Sequence, residues 1–176
     1  MERITLKGDL CQLRALEPDD LDFLYVLENN PEIWEISSTI TPYSRATLKL
    51  YLENAHRSIY EVGQFRLCIC NLKGDPIGLI DLYDFEAKHK RAGLGIIILN
   101  PKERNRGIGS EAILLLLNYA FRVLELHQVY ANILEDNLTS IRLFEKLGFE
   151  LAGFKKDWIR WDSKYKNELL YQKIKL

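Results

Sequence analysis

The sequence predicts one α/β domain of the α+β type, a mostly antiparallel sheet flanked by about four helices. Three observations predict it. Between Gln64 and Leu99, three apolar runs are separated by turn residues, as an antiparallel meander requires. From Ser110 to Leu124, apolar residues recur at helical spacing. The 176 residues, 47% of them hydrophobic, are enough for one domain, 1–176, with a sizeable core, and no repeat or linker divides them.

The elements follow in order. Ile4 to Leu16 reads as extended with a turn at Lys7-Gly8-Asp9. Glu17-Pro18-Asp19-Asp20 opens a helix, since Pro and acids suit the exposed amides of a first turn, and Asn29-Asn30-Pro31 ends it. Ile33 to Tyr43 lacks periodicity and reads as a loop, followed by a helix from Ser44 to about Tyr60. Gln64 to Asn71 and Ile77 to Phe85 are strands about a Lys73-Gly74-Asp75 hairpin, and Gly93 to Leu99 is a third strand. A helix from Ser110 to Leu124 precedes a strand, Gln128 to Leu134. Asn137 caps a short helix that ends near Leu147 with Gly148 as its left-handed terminus. Phe149 to Trp161 and Tyr165 to Lys175 form a final hairpin.

Composition excludes several functions. A count of 24 Lys+Arg against 25 Asp+Glu argues against a dedicated nucleic-acid binder, and high hydrophobicity argues against disorder. The longest apolar stretch, Ala112 to Leu117, is far below the ~20 residues of a membrane helix. Met1-Glu2-Arg3-Ile4 has no apolar signal region, so a cytoplasmic location is expected. Cys11, Cys68 and Cys70 read as core thiols in a reducing compartment, and three scattered His give no metal-ligand spacing.

The most informative stretch is Arg104-Asn105-Arg106-Gly107-Ile108-Gly109, followed by Ser110 at a helix start. Two glycines let the backbone fold tightly, and the helix offers unpaired N–H groups and a positive dipole end. Together they form a cradle for a phosphate or pyrophosphate, to which Arg104 and Arg106 add charge; the alternative is a solvated connecting turn. Gly107-Ile108-Gly109-Ser110-Glu111-Ala112 also fits the relaxed dinucleotide pattern, but that fold wants its first Gly directly after the strand. Here Leu99 and Gly107 are separated by a loop, and the preceding strands form hairpins.

Arg104, Gly107 and Gly109 resemble the Q/R-x-x-G-x-G/A loop of the GCN5-related N-acetyltransferases (GNATs), and Asn137, Ser140, Phe144, Gly148 and Phe149 resemble that family's second signature downstream. The resemblance covers nearly the whole chain and lies closest to the ribosomal-protein alanine and bacterial spermidine acetyltransferases. It implies a mixed, twisted sheet splayed in the middle between the strands that end near Leu99 and Leu134. It also implies acetyl-CoA as cofactor, its arm on backbone groups of Ile97, Ile98 and Leu99 and its pyrophosphate on Arg104, Asn105, Arg106, Gly107, Ile108, Gly109 and Ser110. Asn137, Ser140, Phe144 and Lys146 would flank it.

The implied reaction is direct attack of a primary amine on the thioester, with a proton acceptor for the amine and a donor for the departing thiolate. The donor in many relatives is a Tyr where this chain has Phe144, and the strand acid that relatives place near Gly93 is missing from Ala92-Gly93-Leu94-Gly95. Asp81 and Tyr83 are the substitutes at hand. The acceptor would be held by Trp34, Glu35, Ser37, Ser38 and Tyr43. That loop carries one acid, which leaves a peptide N-terminus, a small amine and a polyamine open as acceptors, and leaves open a homo-oligomer and an acetyl-CoA-binding module with little catalysis.

Overall fold

A computed structural model describes residues 4–175 of the chain. The expectation drawn from Met1 to Arg3, and the outermost ends of the 1–176 domain, lie outside the described residues. The chain first turns at Gly8, whose N–H donates to Cys11 O, and enters strand β1 (Gln12–Ala15). Asp20 then organises the first helix. Its carboxylate accepts two parallel bonds from the Arg14 guanidinium, at 2.7 and 2.8 Å, and one from the Glu17 N–H. Burial opposes ionisation of Asp20, but these donors hold its carboxyl below the usual range.

Helix α1 (Leu21–Glu28) buries Leu24 and Leu27. The expected loop from Ile33 contains α2 (Pro31–Ser37), capped by the Asn30 side chain and ended by left-handed Ser38; seven residues are too few for a periodic signal. The next helix, α3 (Arg45–Glu53), stops short of the expected Tyr60 because Asn54 turns its side chain back onto Leu50 O. Ser58 and Glu61 then start α4 (Ile59–Val62) as a capping box, and Gly63 closes it at φ +69°. With α5 (Ile108–Arg122) and α6 (Leu138–Lys146), the described residues hold six α-helices where about four were expected.

The strands β2 (Phe65–Cys70), β3 (Pro76–Glu86), β4 (Arg91–Ile98), β5 (Gln128–Leu134), β6 (Glu150–Trp161) and β7 (Lys164–Ile174) complete one sheet of order β1-β2-β3-β4-β5-β7-β6. The final hairpin turns through Asp162 and Ser163, both at positive φ as a two-residue type I′ turn requires. Strand alternation sorts the core into two layers. Ile80, Leu82, Leu94, Val129 and Ala131 pack under α5 and α6, whereas Cys68, Cys70 and Leu79 pack under α1 and α3. The three cysteines are free and fully buried, and burial first, then Glu111, pushes the Cys11 thiol up to about 12.

Every pairing is antiparallel except β4 with β5, which holds over three residue pairs only: Arg91 with Gln128, Ala92 with Val129 and Gly93 with Tyr130. Beyond these, β4 stays with β3 as far as Ile98 and β5 stays with β7 as far as Leu134. Each strand follows the twist of its own neighbour, and the sheet opens between them.

Candidate active site

The opening is a cavity of about 420 Å³. Gly95 to Ile97 and Ala131 to Leu134 form its two strand walls, Asn137, Ser140 and Phe144 reach it from α6, and Glu35 to Ser38 close the α2 side. Asp81, Tyr83, Arg66 and Gln64 line it from β3, β2 and the residue before β2.

The unpaired edge of β4 has a definite pattern. Leu99 N–H donates to Ile77 O, so the alternation of an antiparallel ladder turns the backbone groups of Ile97 and Gly95 toward β3 as well. Toward β5, the last parallel pair uses the Leu94 N–H, and Arg104 covers Ile98 O, so the groups left facing the opening are the carbonyls of Leu94 and Ile96 and the N–H groups of Ile96 and Ile98. Of the expected trio Ile97, Ile98 and Leu99, only Ile98 therefore presents its backbone to the cleft, and Ile96 was missed. The periodicity of a strand names its faces, whereas its free edge is known only once the neighbour is known.

That edge leads directly to the glycine loop. Asn105 and Gly107 adopt left-handed φ values of 59° and 85°, and α5 begins at Ile108, two residues before the expected Ser110. The first intrahelical bond runs from Glu111 N–H to Gly107 O, so the amides of Ile108, Gly109 and Ser110 have no helical acceptor. Gly109 has space beside it: an added Cβ would lie 3.6 Å from Leu143 and 3.8 Å from Ile96. Arg104 reaches back to Ile98 O at 2.8 and 3.0 Å, and Arg106 pairs with Glu103 at 3.2 Å. Free strand amides that run into free helix amides suit an extended polar chain ending in phosphates.

Glu111 fixes this loop from behind. Its carboxylate accepts the N–H groups of Asp9, Leu10 and Cys11 at 2.7 to 2.8 Å, which ties the β1 approach to the first turn of α5. Gly8 is needed for that approach, since a Cβ there would come within 2.3 Å of the carboxylate carbon.

Tyr83 and Asp81 explain the two glycines of β4. A Cβ on Gly93 would lie 2.3 Å from the Tyr83 ring, and one on Gly95 would lie 2.9 Å from Asp81 Oδ1. Without those side chains the phenol crosses β4 and reaches the base of the splay, where Asn132 Nδ2 meets its oxygen at 3.3 Å. Burial pushes the Tyr83 phenol up to about 12, against the opposing bond from Asn132. Asp81 holds Gln64 Nε2 at 2.7 Å and Arg66 Nη2 at 3.2 Å on Oδ2, with Oδ1 turned toward Gly95. Phe144 is 3% exposed, packs edge-on against Phe149 at 4.9 Å, and has no proton to give.

Of the other expected residues, Asn137 caps α6 by accepting Ser140 N–H at 3.2 Å, so the pair shapes the cleft wall. Glu35, Ser37 and Ser38 line the cavity, and Glu35 pairs with Lys166. Trp34, Tyr43 and Lys146 do not line it. The Trp34 indole is spent on Glu28 O, the Tyr43 backbone is held by Asn29, and Lys146 is exposed near the far end of α6. Arg66, Glu28, Gln64 and Glu168 were missed. For Arg66 the hairpin gave only part of the signal: it is the register partner of Asp81, but a bulge between Ile69 and Cys70, which the turn residues do not announce, sets that register.

Comparison with known proteins agrees with this geometry. The family model described as an acetyltransferase (GNAT) domain matches residues 11–150. The spermidine N(1)-acetyltransferase of Escherichia coli (strain K12) is 30% identical over 142 residues, 81% of this chain and 74% of that protein. Its Vibrio cholerae counterpart is 31% identical over 141 residues, 80% of this chain and 79% of that protein. A solved structure of the Vibrio cholerae spermidine N-acetyltransferase in complex with CoA and spermine has a TM-score of 0.85 at 26% identity, covering 95% of this chain and 96% of that one.

Proposed function

The chain belongs to the GNAT acetyltransferases and uses acetyl-CoA, and from that premise we propose that it acetylates a primary amine by direct attack, with both substrates together in the β4–β5 cleft. The observation that carries this reading is the unpaired β4 edge running into the unpaired amides of α5. Bound acetyl-CoA supplies a thioester carbonyl as the target of the amine. The carbonyls of Leu94 and Ile96 and the N–H groups of Ile96 and Ile98 hold the extended arm, the segment from Arg104 to Ser110 holds the phosphates, and Asn137, Ser140 and Phe144 form the facing wall. The acceptor enters past Glu35, Ser37 and Ser38.

An amine attacks only in its neutral form, so the site must take a proton. Asp81 fits that role: Arg66 and Gln64 hold one oxygen and orient the other toward β4 at Gly95. Tyr83 fits the opposite role. A phenol pushed up to about 12 keeps its proton at neutral pH and can release it where a thiolate departs. It thereby supplies what Phe144 lacks. The relatives named for spermidine support an amine acceptor, and three free buried thiols support a reducing compartment such as the cytoplasm.

The test is thiol release from acetyl-CoA over a panel of primary amines. The reading expects turnover with at least one amine and a fall of about 10²-fold in kcat for Tyr83→Phe, with acetyl-CoA affinity unchanged. Acetyl-CoA binding with no turnover on any amine would instead favour a binding module, the role that buried Phe144 suggests.

A further inference from the structure

Among the described residues, the four carboxylates that line the cleft share three cations of the chain, so that Glu28 and Asp81 together face one guanidinium and retain one uncompensated negative charge. Glu28 Oε1 receives Arg66 Nη1 at 2.9 Å, and Asp81 Oδ2 receives Arg66 Nη2 at 3.2 Å. Glu35 pairs with Lys166, and Glu168 pairs with Lys155 at 2.8 Å. Arg66 differs from the two lysines because it is itself part of the cleft lining. It bridges two carboxylates whose side chains are each 14% exposed, and its guanidinium lies 5.7 Å from the centre of the Tyr51 ring. A planar guanidinium held by two carboxylates and a ring has little freedom to leave.

A diamine or polyamine differs from a monoamine by the ammonium groups that do not react. Each of these needs a carboxylate that nothing else neutralises, because a desolvated cation without a partner is costly. Asp81, the carboxylate beside Gly95, shares Arg66 with Glu28, so the pair has one negative charge left for a substrate and not two.

We infer that Arg66 occupies the place of a second substrate ammonium, so that the acceptor of this enzyme is an amine of a single positive charge with an uncharged remainder. The inference rests on the acetyl-transfer reading, and it sets the chain apart from the spermidine acetyltransferases it resembles. Arg66 is then the residue that selects against a second charge, through like-charge repulsion.

The experiment compares butylamine with butane-1,4-diamine and spermidine, which share a reactive end and differ in charge. Binding is measured by calorimetry on the CoA complex, and turnover by thiol release from acetyl-CoA. The wild type is expected to bind and use butylamine at least about tenfold better than the diamine. Arg66→Gln, which keeps donors for Glu28 and Asp81 but no charge, should reverse that preference, and Arg66→Lys should retain it. Diamine or spermidine binding to the wild type as tightly as butylamine overturns the inference, and so does an Arg66→Gln variant with the wild-type ratio. If Arg66→Gln does not fold, the wild-type ratio and Arg66→Lys still decide. Absence of thiol release with every amine, alongside amine binding that ranks as expected, would count against the acetyl-transfer reading alone; no amine binding at all overturns the inference.

Discussion

Gly107 and Gly109 both belong to the phosphate-loop pattern, yet they are glycine for different reasons. Gly107 sits at φ +85°, where an L side chain is strained, and a Cβ there would come 3.1 Å from Leu10. Gly109 is helical and a Cβ would make ordinary contacts. Gly107→Ala should therefore cost about 1–3 kcal/mol of stability as well as acetyl-CoA affinity. Gly109→Ala should leave thermal unfolding unchanged or slightly raised, because helix propensity favours Ala, while acetyl-CoA titration shows weaker binding. Wild-type affinity in Gly109→Ala would place the phosphates elsewhere.

Tyr83 allows a test by pH at the same scale. Its raised folded value means that burial of the neutral phenol contributes stability fully below the ordinary value of 10, and that this contribution is lost as pH rises toward about 12. The difference in stability between the wild type and Tyr83→Phe should thus be constant from neutral pH to about 10 and change only above it. A difference that stays constant above about pH 10 as well would mean that the phenol is not buried in solution.

These residue assignments were legible in unequal measure. Gly107, Gly109 and Asn137 follow local grammar, a tight loop and a helix cap, so their spacing in the chain locates them, whereas Phe144 stands out only through the resemblance to the family's second signature. Arg66 works through Glu28 and Asp81, which lie on a helix and on the neighbouring strand. Only the hairpin register joins Arg66 to Asp81, and nothing in the chain order joins it to Glu28.

At the scale of elements, periodicity located the long α5 and the strands well, but it could not see helices of two turns or fewer, as α2 and α4 demonstrate. It also could not connect the turn before β1 to α5, about a hundred residues later. Glu111 makes that connection and makes a prediction possible. Burial pushes its carboxyl up, yet the N–H groups of Leu10, Asp9 and Cys11 win and hold it below the usual range. The clamp therefore contributes stability above the ordinary carboxyl range that is lost as pH falls through the depressed value. Glu111→Gln keeps the shape and loses the charge, and should cost about 2 kcal/mol at neutral pH. Denaturant unfolding should show this penalty shrinking in acid, and a penalty independent of pH would contradict a charge-based clamp. The same variant should weaken acetyl-CoA binding, because Leu10 rests against Gly107.

The whole molecule is a sheet in two halves, β1 to β4 and β5 to β6, joined directly by three residue pairs and otherwise by the helices and the side chains that cross the cleft. A ligand that pairs with the free β4 edge and is walled by β5 and α6 replaces the missing connection. Two consequences can be measured together. In hydrogen exchange without ligand, the amides of Ile96 and Ile98 should exchange faster than those of Gly95, Ile97 and Leu99, which the β3 ladder protects. Acetyl-CoA should erase this alternation by protecting the first set. At a hundred times its dissociation constant, acetyl-CoA should also add about 2.7 kcal/mol to folding stability, which for a chain of this size raises Tm by about 5–10 °C. The two readouts separate the possibilities. A rise in Tm without protection of the alternate residues would mean that the ligand binds at the α5 loop and leaves the strand edge free. Protection of both sets equally would mean a general stiffening, in which case the open edge of β4 is not the surface on which the cofactor arm lies.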